Sequence, residues 1–251
     1  MTHITTGTVT YIARISGLKL EEVELRSPNP KIEKITLKTQ EQGTDHTSLE
    51  VTFTLKDVLA TDNFRSIVKP ILSPLIDRLG FYFNGVYVEE PQFSGSALPS
   101  NPQGNTFITE AVHIVALACT DGIIEPGSKG REKLKVHLES STLPGEDQYK
   151  LFNFATRQKD PVARFMFLYN ILLSLRKDKQ TNVDIFIAQE ELGVQQTPSP
   201  KTSKLETIYT RLRNEVSHVR KGAIPQNTKK DITENVGKLQ ELVKKAIIQQ
   251  P

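Results

Sequence analysis

The densest group of chemically capable side chains in this chain lies between Arg213 and Arg220, which reads RNEVSHVR. Histidine, with an unperturbed pKa of about 6.5, can accept or release a proton near neutrality. Arginine keeps its charge and offers a planar fork of donors that matches phosphate oxygens. Cleavage of a phosphodiester beside a 2′-hydroxyl needs such parts: a proton acceptor, a proton donor and relief of charge on a pentacoordinate phosphate. Arg213 and His218 are therefore candidate catalytic residues, with Asn214 directly after the arginine. Arg211, Arg220 and Lys221 are candidates for contact with an RNA backbone.

Whether these groups meet depends on the helix that carries them. Ser203-Lys-Leu-Glu206 is a capping box and predicts a helix starting after Ser203. At 100° per residue, Leu205, Ile208, Tyr209, Leu212, Val216 and Val219 fall within about 50° of one direction, a core-facing stripe. Asn214 and His218 lie about 40° apart and opposite that stripe, with Arg211 beside them. Arg213 lies about 140° from His218, so bringing them together needs a side chain wrapped around the helix, a second helix or a second subunit. The polar face also fits a solvated charge ladder, since Arg211 and Glu215 are spaced i, i+4 and Glu215 and His218 i, i+3.

The elements around this helix read as a small bundle. Asp160-Pro161 is an N-cap followed by proline at the first helical position, opening a helix over Val162 to Leu175. VDIFIAQEEL predicts a shorter helix and TPSPKT a breaker-rich loop. A final helix opens near Asn227 or Thr228, with Ile232, Val236, Leu239, Val243 and Ala246 facing the core.

Upstream the pattern differs. Leu49, Val51, Phe53 and Leu55 alternate with Glu50, Thr52, Thr54 and Lys56, as a half-buried strand requires. Weaker alternation predicts strands in TVTYIARI, KITLKT and KLKVHLE; FITEAVHIVALA fits a buried strand or a helix, and is read as a strand. FYFNGVYVEE predicts a tight hairpin turning at Asn84-Gly85. Phe64, Ile67, Val68, Ile71, Leu72, Leu75, Ile76 and Leu79 mark one helix that stops at Gly80, with Pro70 and Pro74 expected to kink or divide it. PQFSGSALPSNPQGNT, residues 91–106, reads as a long surface loop. The pattern changes around SSTLPGEDQ. The expected fold class is α+β: a β-rich domain over 1–143 with one kinked helix, for sensing or binding, then an all-α bundle over 144–251.

Composition narrows the function classes. Hydrophobic content of 37% and charged content of 24% in 251 residues are ordinary for a globular protein. The net charge of +3 is unevenly placed: from Lys201 onward there are 11 Lys and Arg against 5 Asp and Glu, leaving 21 against 24 elsewhere. A basic C-terminal part fits a local polyanion site, although Lys229, Lys230, Lys244 and Lys245 read as helix-solvating charges. Cys119, the lone cysteine, excludes an intramolecular disulfide and reads as a small core residue. The N-terminus lacks the pattern of a signal peptide. The most apolar run, VARFMFLYNILLSL, is too short and polar to span a bilayer. A cytoplasmic protein without membrane contact is expected. His113 reads as a core histidine, His137 as lying on a strand's polar face, and His3 and His46 as lying in polar terminal or turn contexts. None has the spacing of a metal site. Gly127 to Gly130 in EPGSKG reads as a turn rather than a phosphate loop, and no GxSxG elbow is present. No cofactor or metal is expected.

Arg213-Asn214-x-x-x-His218, on the penultimate helix of a small bundle, resembles the signature of the HEPN superfamily over roughly residues 148–251. The resemblance implies a metal-independent endoribonuclease acting on single-stranded RNA, usually as a homodimer whose two motifs form one composite site. It implies that His218 is the general acid/base, that Arg213 holds the scissile phosphate, and that Asn214 orients the histidine or the RNA. Some relatives carry a tyrosine two residues after the histidine, where this chain has Arg220. Toxin–antitoxin or anti-phage defence is the implied setting, and a protein inhibitor or regulatory partner fits it. A non-catalytic HEPN-like module that binds RNA, a nucleotide or a protein is the alternative. FMFLYNILLSL and YTRLRNEVSHVR are also similar to proteins associated with methylamine-utilisation gene clusters, which implies an accessory role in amine metabolism as a third reading.

Overall fold

A computed structural model describes residues 4–41, 47–59, 62–83, 86–97, 107–109, 124–140, 146–200, 202–218 and 224–249. The chain divides into two compact units, Met1–Thr142 and Leu143–Pro251. It is a mixed α/β protein, with an antiparallel sheet in the first unit and mainly helices in the second.

The first unit contains β1 (Ile4–Ser16), β2 (Val23–Leu25), β3 (Ile32–Glu41), β4 (Thr47–Leu59), α1 (Phe64–Tyr82), β5 (Tyr87–Val88), β6 (Gln92–Ala97), β7 (Phe107–Thr109) and α2 (Ser128–Glu139). The sheet runs β2-β3-β4-β1-β6-β7, with β5 also paired to β1. Period-two patterning sets its register. Val9 lies opposite Phe53 and Phe53 opposite Ile35, while Tyr11 lies opposite Val51 and Val51 opposite Leu37. Each row thus stacks apolar side chains on one face. Leu49, Val51, Phe53 and Leu55 are buried as expected, and the core they form takes in Val68, Leu72, Leu75, Ile76 and Leu79 of α1 and Leu134 and Leu138 of α2.

Several expectations for this unit need correction. KLKVHLE is not a strand but part of α2. Leu134 and Leu138 are buried while Val136 is 63% exposed, so the alternating triplet hid an i, i+4 helical pair. His137 accordingly stands on a helix, with its ring beside Phe81 and Tyr82. Gly127 and Gly130 mark the start of that helix rather than a free turn. The expected FYF strand of a hairpin is instead the end of α1, which runs past Gly80 to Tyr82; Val88 pairs with β1, and the turn residues Asn84-Gly85 lie outside the described residues. Gln92–Ala97, read as loop, is a strand inside the sheet because β1 and β7 supply its partners. Pro70 and Pro74 do not divide α1, which stays one 19-residue helix capped by Asn63. Of the proposed strand FITEAVHIVALA, Phe107–Thr109 is β7; residues 110–118, like Cys119, His3 and His46, lie outside the described residues.

The second unit contains α3 (Glu146–Thr156), α4 (Pro161–Leu175), α5 (Gln180–Glu190), β8 (Gln196–Pro198), β9 (Leu205–Thr207), α6 (Ile208–Ser217) and α7 (Pro225–Ile248). Asp160 caps α4 by accepting from the Ala163 N–H, with Pro161 at the first position, as the sequence predicts. Ile232, Val236, Leu239, Val243 and Ala246 of α7 are buried, again as predicted. The unit is not all-α, because β8 and β9 form a two-stranded hairpin. That hairpin overturns the capping box. Leu205–Thr207 is strand, Ser203 has a positive φ of 58°, and the cap of α6 is Thr207, whose side chain accepts from the Thr210 N–H.

Candidate functional site

The late start of α6 alters which side chains face inward. Asn214 is buried at 9% exposure, whereas Val216, expected in the core stripe, is 38% exposed and Leu205 is 61% exposed. Polar neighbours explain the burial. Asn214 Nδ2 donates to Glu206 Oε2 of β9 at 3.3 Å, and its Oδ1 accepts from Gln180 Nε2 of α5 at 3.0 Å. Arg213 Nη1 donates to the same Oδ1 at 3.1 Å. A buried amide is tolerated here because both its ends are used.

His218 is not on the helix. It is the residue that ends α6, with extended backbone (φ −142°, ψ 142°) and an exposed side chain. Its backbone N–H donates to the Asn214 carbonyl at 3.0 Å. Leaving the helical path removes the 140° separation from Arg213 that an ideal helix imposes. Arg213, Asn214 and His218 line one open cleft of about 640 Å³ within a single chain. Arg220 and Lys221 lie outside the described residues.

Sequence reasoning missed other residues of the lining. Gln180, Asp184 and Glu206 line the same cleft, as does Lys204. Asp184 Oδ1 accepts three bonds: from the Thr207 N–H at 2.9 Å, and from the Thr207 and Thr210 hydroxyls, each at 2.7 Å. Tyr169 stands behind, 2.8 Å from the Thr210 hydroxyl. Burial raises the pKa of Asp184, and the hydrogen bonds from Thr210 and Thr207 oppose the rise. Gln180 and Asp184, four apart on α5, thus meet Asn214 and Thr210, four apart on α6. An i, i+4 polar pair on VDIFIAQEEL and its preceding turn was the available signal, but only pairing with α6 gives it meaning.

Arg211 is elsewhere. Its guanidinium donates to Glu215 at 2.8 Å and to Asp231 of α7 at 2.9 Å, and Glu215 also accepts from Thr228 at 2.7 Å. The charge-ladder reading thus holds for Arg211 and Glu215. Arg211 is not among the residues of the cleft. Among the described residues no group of three or more His, Cys, Asp or Glu stands close enough to hold a metal ion, and no helix is long and apolar enough to cross a membrane. Comparison with protein-family models, curated proteins and solved structures gave no match.

Proposed function

We propose that Leu143–Pro251 is a HEPN-like, metal-independent endoribonuclease acting on single-stranded RNA. The observation that supports it is the convergence of an exposed imidazole and a guanidinium on one cleft wide enough for a nucleotide. His218 takes the proton of a ribose 2′-hydroxyl or returns one to the departing 5′-oxygen. The 2′-oxygen bonds to phosphorus as the 5′-oxygen leaves, giving a cyclic phosphate and a free 5′-hydroxyl. Arg213 faces the charge that develops on the phosphoryl oxygens. Two protons move while each chain brings one His218, so a homodimer that supplies a second imidazole belongs to the proposal. A role in toxin–antitoxin or anti-phage defence is part of the same reading.

The test is cleavage of end-labelled single-stranded RNA by the full chain in chelator. The wild type should leave cyclic-phosphate ends, and His218→Ala and Arg213→Ala should each abolish cutting while staying folded. Undiminished cleavage by His218→Ala overturns the assignment.

A second reading draws on the acidic wall. Asp184 and Glu206 oppose a highly charged polyanion and favour a ligand that also offers donors, such as a nucleotide with its sugar hydroxyls and base amino groups. In that case the unit binds without cutting, and retention of a free nucleotide without any product, unaffected by His218→Ala, is the expected result.

A further inference from the structure

We infer that Glu206 is a positioning residue for Arg213, acting through the side-chain amide of Asn214. Glu206 sits on β9 and is 5% exposed. Among the described residues Arg213 has one side-chain hydrogen bond, to Asn214 Oδ1, and its buried Nε has no partner. The direction of the guanidinium therefore depends on where that amide oxygen points.

An amide has an accepting end and a donating end. Arg213 and Gln180 both donate to the oxygen, and Glu206 accepts from the nitrogen. Turned over, the amide would set N–H against two donors and oxygen against a carboxylate, so this set of partners leaves one orientation. Removing the carboxylate strands a buried N–H, and the amide must tilt or rotate to find another acceptor. The guanidinium follows it. Glu206 is brought into place by the hairpin, and Thr207 next to it caps α6, so the same two residues set both the helix start and the amide.

The catalytic purpose of this tie rests on the nuclease reading; the tie itself does not. Two measurements on the full chain separate them. In the first, the Arg213 Nε–H resonance, assigned by its loss in Arg213→Lys, is followed by NMR without any ligand. It should move in Glu206→Ala, in Glu206→Asp, which keeps the charge but withdraws the oxygen, and in Asn214→Ala. It should stay near the wild-type position in Glu206→Gln, whose amide oxygen can still accept. In the second, single-turnover RNA cleavage should fall about 10- to 100-fold in Glu206→Ala, the scale of a misplaced catalytic group, and largely recover in Glu206→Gln. An unmoved Arg213 resonance in Glu206→Ala and Glu206→Asp overturns the inference, as does a Glu206→Gln spectrum matching that of Glu206→Ala. A moved resonance in a protein whose wild type cuts no RNA keeps the tie and discards the nuclease.

Discussion

At the scale of single residues, His218 and Arg211 exchange the weights that a helical projection gives them. Projection puts Arg211 beside His218; in the folded chain Arg211 is neutralised by Glu215 and Asp231, and His218 leaves the helix for the cleft. Arg211→Ala should therefore lower the melting temperature, through loss of two part-buried ion pairs, and leave RNA affinity unchanged. A melting scan and a binding titration read the two effects apart. His218→Ala should do the reverse. Exposed substitutions usually stay within about 0.5 kcal/mol of wild-type stability. Loss of general acid–base assistance lowers the rate by about 10² to 10⁴. Arg213→Lys keeps the charge but not the fork, and a lost charged hydrogen bond of about 1.5 kcal/mol corresponds to roughly tenfold slower cleavage. The Arg–Asn–His pattern was legible in the sequence because it needs only spacing. Glu206 and Asp184 were not, since each reaches the cleft from a different element and no local spacing links them to Asn214.

Elements with one period and clear ends read correctly: β4 by alternation, α4 by Asp160-Pro161, and α7 by its apolar stripe. Reading failed where two patterns shared one string. Ser203-Lys-Leu-Glu206 satisfies a capping box, yet pairing of Leu205 with Pro198 keeps these residues extended and passes the cap to Thr207. What joins α5, β9 and α6 is then Asp184, and its behaviour with pH follows from its environment. Its folded pKa is raised above the ordinary value of 3.8 by burial, so folding favours the protonated form. Stability from this group is complete below the unfolded pKa and is lost as pH rises through the raised folded value. Asp184→Asn keeps an accepting oxygen for Thr207 and Thr210 and cannot ionise. Its stability advantage over the wild type should therefore grow as pH is raised from about 4 towards neutrality. Urea unfolding at several pH values measures this, and a constant difference would remove the buried-carboxylate account. Asp184→Ala strands three donors and should cost about 2 kcal/mol or more at every pH.

At the scale of the whole molecule, the uneven charge seen in the sequence is only partly available to a partner. Among the described cations of the C-terminal part, Lys238 reaches Glu191 at 3.7 Å and Lys245 reaches Glu190 at 3.4 Å, besides the pairs of Arg211. On the proposed reading, recognition depends on the cleft rather than on a diffuse basic face. In that cleft the two carboxylates that could carry a second proton are already engaged: Asp184 Oδ1 with three donors, and Glu206 with Asn214. If cleavage needs two imidazoles, the second comes from another copy of the chain. Activity should then rise more steeply than linearly with protein concentration and track the dimer seen by sedimentation. Mixing decides whether sites are shared. His218→Ala is inactive alone; in a shared site its mixed dimer with the wild-type chain holds one imidazole, so an excess of His218→Ala should suppress wild-type cleavage. Undiminished wild-type cleavage, with mixed dimers shown to form, means that each cleft works by itself and that the second proton is carried within the chain.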